Sequence, residues 1–169
     1  GGAPAKVKIT YTVEDEPVVI PADEKAEKFL RDVLDGMKLE SIEVEKKSEE
    51  GAVEFDLSGD DVGFVIGRRG ETLDALQYLT SLAANHSEEG YIKVTVNTGN
   101  YREKREKTLE ILGRKLAFKA VKTGRKTSLE PMNPYERRII HSALQNDKYV
   151  TTHSEGDEPF RRVVVTLKR

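Results

Sequence analysis

The stretch Gly63-Phe64-Val65-Ile66-Gly67-Arg68-Arg69-Gly70-Glu71-Thr72-Leu73-Asp74-Ala75-Leu76-Gln77-Tyr78-Leu79 places two glycines and two arginines between two helical patterns. Before it, Val62, Val65 and Ile66 mark a short helix opened by Asp60 or Asp61. After it, Ala75, Leu76, Leu79, Leu82 and Ala83 mark the buried stripe of a longer helix ending near Asn85. Glycines have a physical use at such a junction. Without a Cβ the chain turns tightly and can approach a sugar-phosphate backbone, while amides exposed at the start of the next helix favour anions. Arg68 and Arg69 add positive charge at the same place. A bare Gly-x-x-Gly is equally an ordinary interhelical turn, so its surroundings decide.

Working outward, Asp23 is placed to cap a helix whose Ala26, Phe29, Leu30, Val33, Leu34 and Met37 recur at three and four, with Gly36 near its end. Ile42 and Val44, then Val53, Phe55 and Leu57, alternate on either side of the polar Ser48-Glu49-Glu50-Gly51, the pattern of a hairpin. Ile92, Val94 and Val96 read as a third strand. The order over residues 23–98 is therefore α-β-β-α-α-β. The glycine loop falls between its two consecutive helices, where a KH domain grips about four backbone nucleotides. Ile66, Gly67, Arg68, Arg69 and Gly70 are the candidate RNA-contacting residues of this half.

From Tyr101 to about Lys122 the pattern is helical again, with Leu109, Leu112, Leu116 and Ala120 as its seam and Gly124 as its stop. Lys104, Lys115, Lys119 and Lys122 share one face of that helix, and Lys115 and Lys119 are candidate contacts. Asn133-Pro134-Tyr135-Glu136 joins a capping residue, proline at the first helical position and glutamate three after the cap, a clear helix start for a run to about Asn146. On that helix Arg137 and His141 are four apart and share a face with Arg138 beside them, while Ile140 and Leu144 turn toward a core. Such a pair is also what a local surface contact, or a histidine packed under a sheet, looks like. Tyr149 to His153 and Phe160 to Leu167 read as two strands.

The formal net charge of −2 conceals segregation. Residues 1–58 carry 8 Lys+Arg against 15 Asp+Glu, residues 59–100 carry 3 against 6, and residues 101–169 carry 17 against 9. A basic C-terminal part of this kind points to a polyanionic partner. There is no cysteine, which excludes disulfides, thiolate metal sites and a cysteine nucleophile. His86, His141 and His153 lie in unrelated contexts, and the chain has no Walker loop, zincin motif or nucleophile elbow. A binding protein without cofactor or metal is expected, rather than an enzyme.

The Gly63 to Leu79 string is similar to the KH signature of the Jag family, also called KhpB or EloR. The Asn-Pro-Tyr-Glu-Arg-Arg-Ile-Ile-His string, the basic helix before it and Glu158-Pro159-Phe160-Arg161-Arg162-Val163 resemble the family's C-terminal R-3-H domain. The resemblance implies an α+β chain. It would comprise a prokaryotic (type II) KH domain at 23–98 and a small α/β R-3-H domain at 101–169 with Arg137 and His141 as its defining pair. Arg138, Arg161 and Arg162 would extend the basic surface. The implied function is binding of single-stranded RNA or DNA in the cytoplasm, with a regulatory role tied to cell elongation or the envelope. The alternative is an interaction adaptor that pairs with a small single-KH protein or, through a membrane insertase, associates indirectly with the membrane. Residues 1–20 hold one alternating strand, Lys6 to Val13, and a linker that begins at Glu14-Asp15-Glu16-Pro17 and is bounded by Pro21. They resemble the last segment of the family's N-terminal domain, and the strand is expected to pair outside the two modules, a homodimer included.

Overall fold

The computed structural model describes residues 20–86 and 90–168, so the alternating strand expected at Lys6 to Val13 lies outside the described residues. The first half runs α1 (Ala22–Gly36), β1 (Glu43–Glu49), β2 (Ala52–Ser58), α2 (Val62–Ile66), a single tight turn (Arg68–Gly70), α3 (Glu71–Ala84) and β3 (Lys93–Asn97). This is the α-β-β-α-α-β order read from the sequence. The sheet has the order β1-β2-β3, with β1 antiparallel and β3 parallel to the central β2. Alternation sets its faces: Val53, Phe55 and Leu57 of β2 and Val94 and Val96 of β3 turn inward, where Ala26, Leu30 and Leu34 of α1 and Leu73 and Leu76 of α3 cover them.

Two local expectations are corrected. Asp23 does not cap α1; Pro21 occupies the cap position, and the Asp23 carboxylate instead reaches across to the Lys46 ammonium at 2.8 Å. Hydrogen bonding from that ammonium holds the Asp23 carboxyl below the usual carboxylate range. The buried stripe of α3 is also rotated from its expected place. Leu73, Leu76, Thr80 and Ala84 are buried, whereas Ala75, Tyr78, Leu79 and Leu82 are exposed.

The second half runs α4 (Tyr101–Thr123), β4 (Thr127–Ser128), α5 (Pro134–Leu144), β5 (Val150–Glu155) and β6 (Arg162–Leu167). Its antiparallel sheet has the order β4-β6-β5. Both helices cover one face: Leu109, Ala117 and Ala120 of α4 and Ile139, Ile140 and Leu144 of α5 meet Val150, Val163 and Val165. The helices approach closely at Gly113, where an added Cβ would stand 3.3 Å from Ile140 Cγ2. Leu112 of the expected seam is exposed, because Gly113 rather than Leu112 faces α5. The short β4 has too few residues to show a period, and the sequence pattern does not reveal it.

The two halves share α4. Tyr101 at its start packs on the first core, and burial raises its phenol pKa. Beside it Arg102 Nη2 meets Asp74 Oδ1 at 3.1 Å, and one turn on Arg105 Nε donates to Glu136 Oε1 of α5 at 2.8 Å. No described helix is long and apolar enough to cross a membrane.

Candidate nucleic-acid interface

The glycine loop owes its shape to two glycines that no other residue replaces freely. Gly67 has φ 68° and ψ −165°, and Gly70 has φ 85° and ψ 6°. A Cβ on Gly67 would fall 2.0 Å from Thr72 Oγ1, and one on Gly70 would fall 2.9 Å from Tyr101 Cε1. Close approach therefore fixes both identities, with α3 and its first amides beginning directly after Gly70. Ile66 and Gly67 are half-buried, Gly70 is buried, and Arg68 is exposed.

Arg69 is placed differently from its neighbour. Its φ is 58°, and its guanidinium donates from Nη1 to the Pro131 carbonyl at 3.2 Å and pairs with the Glu130 carboxylate. The two arginines that the sequence places side by side therefore have different surroundings. Arg69 ties the loop to the segment before α5, and of the two only Arg68 has no ion-pair partner among the described residues.

The Arg137 and His141 pair is also turned inward. Asn133 caps α5 as expected, its side chain accepting from the Glu136 amide at 2.8 Å, with Pro134 at the first helical position. Glu136 does not reach back to the cap; its carboxylate is buried against Arg105. The next residue, Arg137, is buried too. Its Nη1 donates to the Met132 carbonyl at 2.7 Å and its Nη2 to Glu158 Oε1 at 2.6 Å, so the guanidinium clamps the segment before α5 to the β5–β6 connection. An arginine engaged in this way braces the two segments against each other.

His141 lies under β5, with Nδ1 2.7 Å from Thr152 Oγ1 and Nε2 3.0 Å from Ser154 Oγ. Hydroxyls accept or donate, so a neutral imidazole is satisfied in either tautomer. Burial first, then Coulomb repulsion from Arg137 and from His153, hold its pKa below the ordinary 6.5. As pH falls, the unfolded chain binds the proton before the folded one. The stabilisation is complete above about pH 6.5 and is lost as pH falls through the lower folded value. The urea midpoint of the chain should therefore drop between about pH 7.5 and 5.5, and His141→Gln should flatten that drop. An unchanged profile in His141→Gln would show that the ring titrates as it does in free solution.

The remaining candidates separate cleanly. Arg161 folds back on the Gly156 carbonyl at 2.7 Å, whereas Arg162, in register with Glu155, is exposed. Arg138 is exposed beside a concavity of about 800 Å³ between α4 and α5, also lined by Arg114, Tyr135, Lys148 and Tyr149. Lys115 and Lys119 are exposed on the outer face of α4. Phe64, Phe118, Tyr135 and Tyr149 are exposed aromatics that no sequence motif marks as contacts. For Phe118 a signal exists: helical spacing puts it on the side away from the seam, among the lysines.

Comparison with known proteins agrees with both halves. The KH domain model of KhpA/KhpB matches residues 23–96, and the R-3-H domain model matches residues 107–167. A protein of Clostridium symbiosum named RNA-binding protein KhpB is 51% identical over 164 residues, covering 93% of this chain and 74% of that one. The protein of the same name from Bacillus subtilis (strain 168) is 34% identical over 171 residues, covering 100% of this chain and 78% of its own length. A Lactiplantibacillus plantarum relative of that name is 39% identical over 107 residues, 63% of this chain and 33% of the relative.

Proposed function

We propose, from the premise that this chain belongs to the KhpB family of RNA-binding proteins, that it is a cytoplasmic regulatory protein that binds single-stranded RNA and catalyses no reaction. In this reading residues 23–98 and 101–169 act as two modules on RNA. The observation that carries it is the Gly67–Gly70 loop, whose close-packed glycines and exposed Arg68 stand at the head of α3. Ile66, Gly67, Arg68 and Gly70 form the first contact. Lys115, Lys119, Arg138 and Arg162 are exposed cations that give the second module its own contacts. Arg69, Arg137, His141 and Arg161 act behind them by holding the loop, the helix and the strand connection in place. Two linked modules gain avidity wherever one strand reaches both.

Salt dependence tests the assignment. If about five cations meet phosphates, log affinity should fall with log salt at a slope of roughly −3 to −4 for a single strand. Arg68→Gln should make the slope shallower by about 0.7, one contact's worth. Arg69→Gln should leave the slope nearly as it is, since its guanidinium is already committed to Glu130 and Pro131. A flat salt dependence in the unsubstituted chain would overturn the electrostatic reading.

A second reading is favoured by one feature, the outward-facing Tyr78, Leu79 and Leu82 of α3, which form an apolar strip on the KH half. That strip suits an adaptor that pairs with a small single-KH protein or with a second copy of this chain. Partners that survive nuclease treatment in a pull-down would favour it.

A further inference from the structure

We infer that the outer face of α4 is a base-stacking platform, on which Phe118, flanked by Ile111 and Val121, receives unstacked bases of a single RNA strand whose phosphates meet the surrounding lysines and arginine. The inference rests on the RNA-binding reading above and adds to it a non-ionic contact and the residue that makes it. Phe118 is 71% exposed and Ile111 55%, although both sit in the middle of a 23-residue helix with a core at hand. They are seven residues apart, hence on the same face and separated by about 10 Å along the axis. The core-facing residues Leu109, Gly113, Ala117 and Ala120 lie on the other side.

The charges on this face are arranged as a nucleic-acid surface requires. Lys107, Arg114, Lys115, Lys119 and Lys122 are all exposed around Phe118 and Ile111, and none of the five has an ion-pair partner among the described residues. By contrast Arg102 and Arg105, on the inward side of the same helix, are paired with Asp74 and Glu136. The nearest carboxylates on α4, Glu110 and Glu106, are rotated from Phe118 by about 80° and 120°. A single exposed apolar side chain on a protein surface means nothing. An aromatic ring framed by unneutralised cations is different, because it offers both of the contacts that sequence-tolerant binders of single strands combine, a stacking face and a phosphate track. A membrane surface fits less well. An interfacial helix needs a broad continuous apolar face with its cations at the margins, and here the cations are interspersed with a narrow apolar strip.

The chain contains no tryptophan, so Phe118→Trp introduces a sole indole at an exposed position where the fold tolerates it. Titrating the full chain carrying this substitution with an unstructured single-stranded RNA should quench the indole emission as bases stack on it. Phe118→Ala should weaken binding by about five- to a hundredfold with no change in salt slope, as loss of one stacked base predicts. Lys115→Gln and Lys122→Gln should each make the slope shallower instead. If the unsubstituted chain binds RNA but the indole is not quenched and Phe118→Ala binds normally, the platform is overturned and the RNA reading stands. If the unsubstituted chain fails to bind RNA, both fall together. A blue shift on vesicles of phosphatidylglycerol, with no quenching by RNA, would assign the face to a lipid surface and overturn the platform.

Discussion

Replacing Arg137 with alanine is expected to destabilise the C-terminal half by about 2–4 kcal/mol while leaving the salt slope of RNA binding nearly unchanged. The magnitude follows from what the side chain holds. Its removal leaves the Met132 carbonyl without its buried donor at 2.7 Å, a loss of about 1–3 kcal/mol. It also breaks the pair with Glu158. Breaking a fully buried pair costs about 3–5 kcal/mol, but Glu158 is 51% exposed against 9% for Arg137, so only part of that applies. For a unit of this size each kcal/mol moves the melting midpoint by about 4–8 °C. Arg137→Lys keeps the charge but cannot span two acceptors with a rigid fork, and should recover less than half of the loss. Thermal or urea unfolding measures this directly. An unshifted midpoint together with a shallower salt slope would restore Arg137 to the RNA surface.

The same residue shows where reading the sequence stops. The α-β-β-α-α-β order, the Asn133-Pro134 cap and the Gly124 stop are legible, because periodicity, capping chemistry and left-handed glycines act over a few residues. What is not legible depends on partners far along the chain. Arg137 looks like any exposed cation until Glu158, 21 positions on, is brought beside it; Arg69 until Pro131, 62 positions on, is. The helical wheel of α3 carries two adjacent apolar stripes, and the packing of α3 against α1 and β3 decides that Leu76 and Thr80 go in while Leu79 and Leu82 stay out. Of the candidate site, the glycine loop is the readable part, since its residues act through their own backbone. The basic surface is readable as a total charge but not residue by residue. Ion pairing decides which cations remain free, and pairing is a tertiary property.

Gly67→Ala is expected to lower RNA affinity at least tenfold and to destabilise the KH half by about 1–3 kcal/mol, the cost of holding a residue with a side chain in a sparsely populated backbone region. The φ of 68° with ψ of −165° belongs to a region that is nearly glycine-only. The side chain also has nowhere to go. Its Cβ would stand 2.0 Å from Thr72 Oγ1, 2.7 Å from Thr72 Cβ and 3.2 Å from the Thr72 amide, so a rotamer change of Thr72 alone does not clear it. The chain must relax by moving the loop off the first turn of α3, which displaces Arg68 with it. Gly63→Ala supplies the control from the same segment. It lies within α2 at an ordinary backbone angle with nothing within 4 Å of an added Cβ, and alanine should there raise helix stability by up to about 1 kcal/mol with RNA binding unchanged. Both variants are to be measured in the full chain by urea unfolding and by RNA titration at one fixed salt concentration. If Gly67→Ala binds as tightly as Gly63→Ala, the loop is a connection between helices and the KH half holds RNA elsewhere, or not at all.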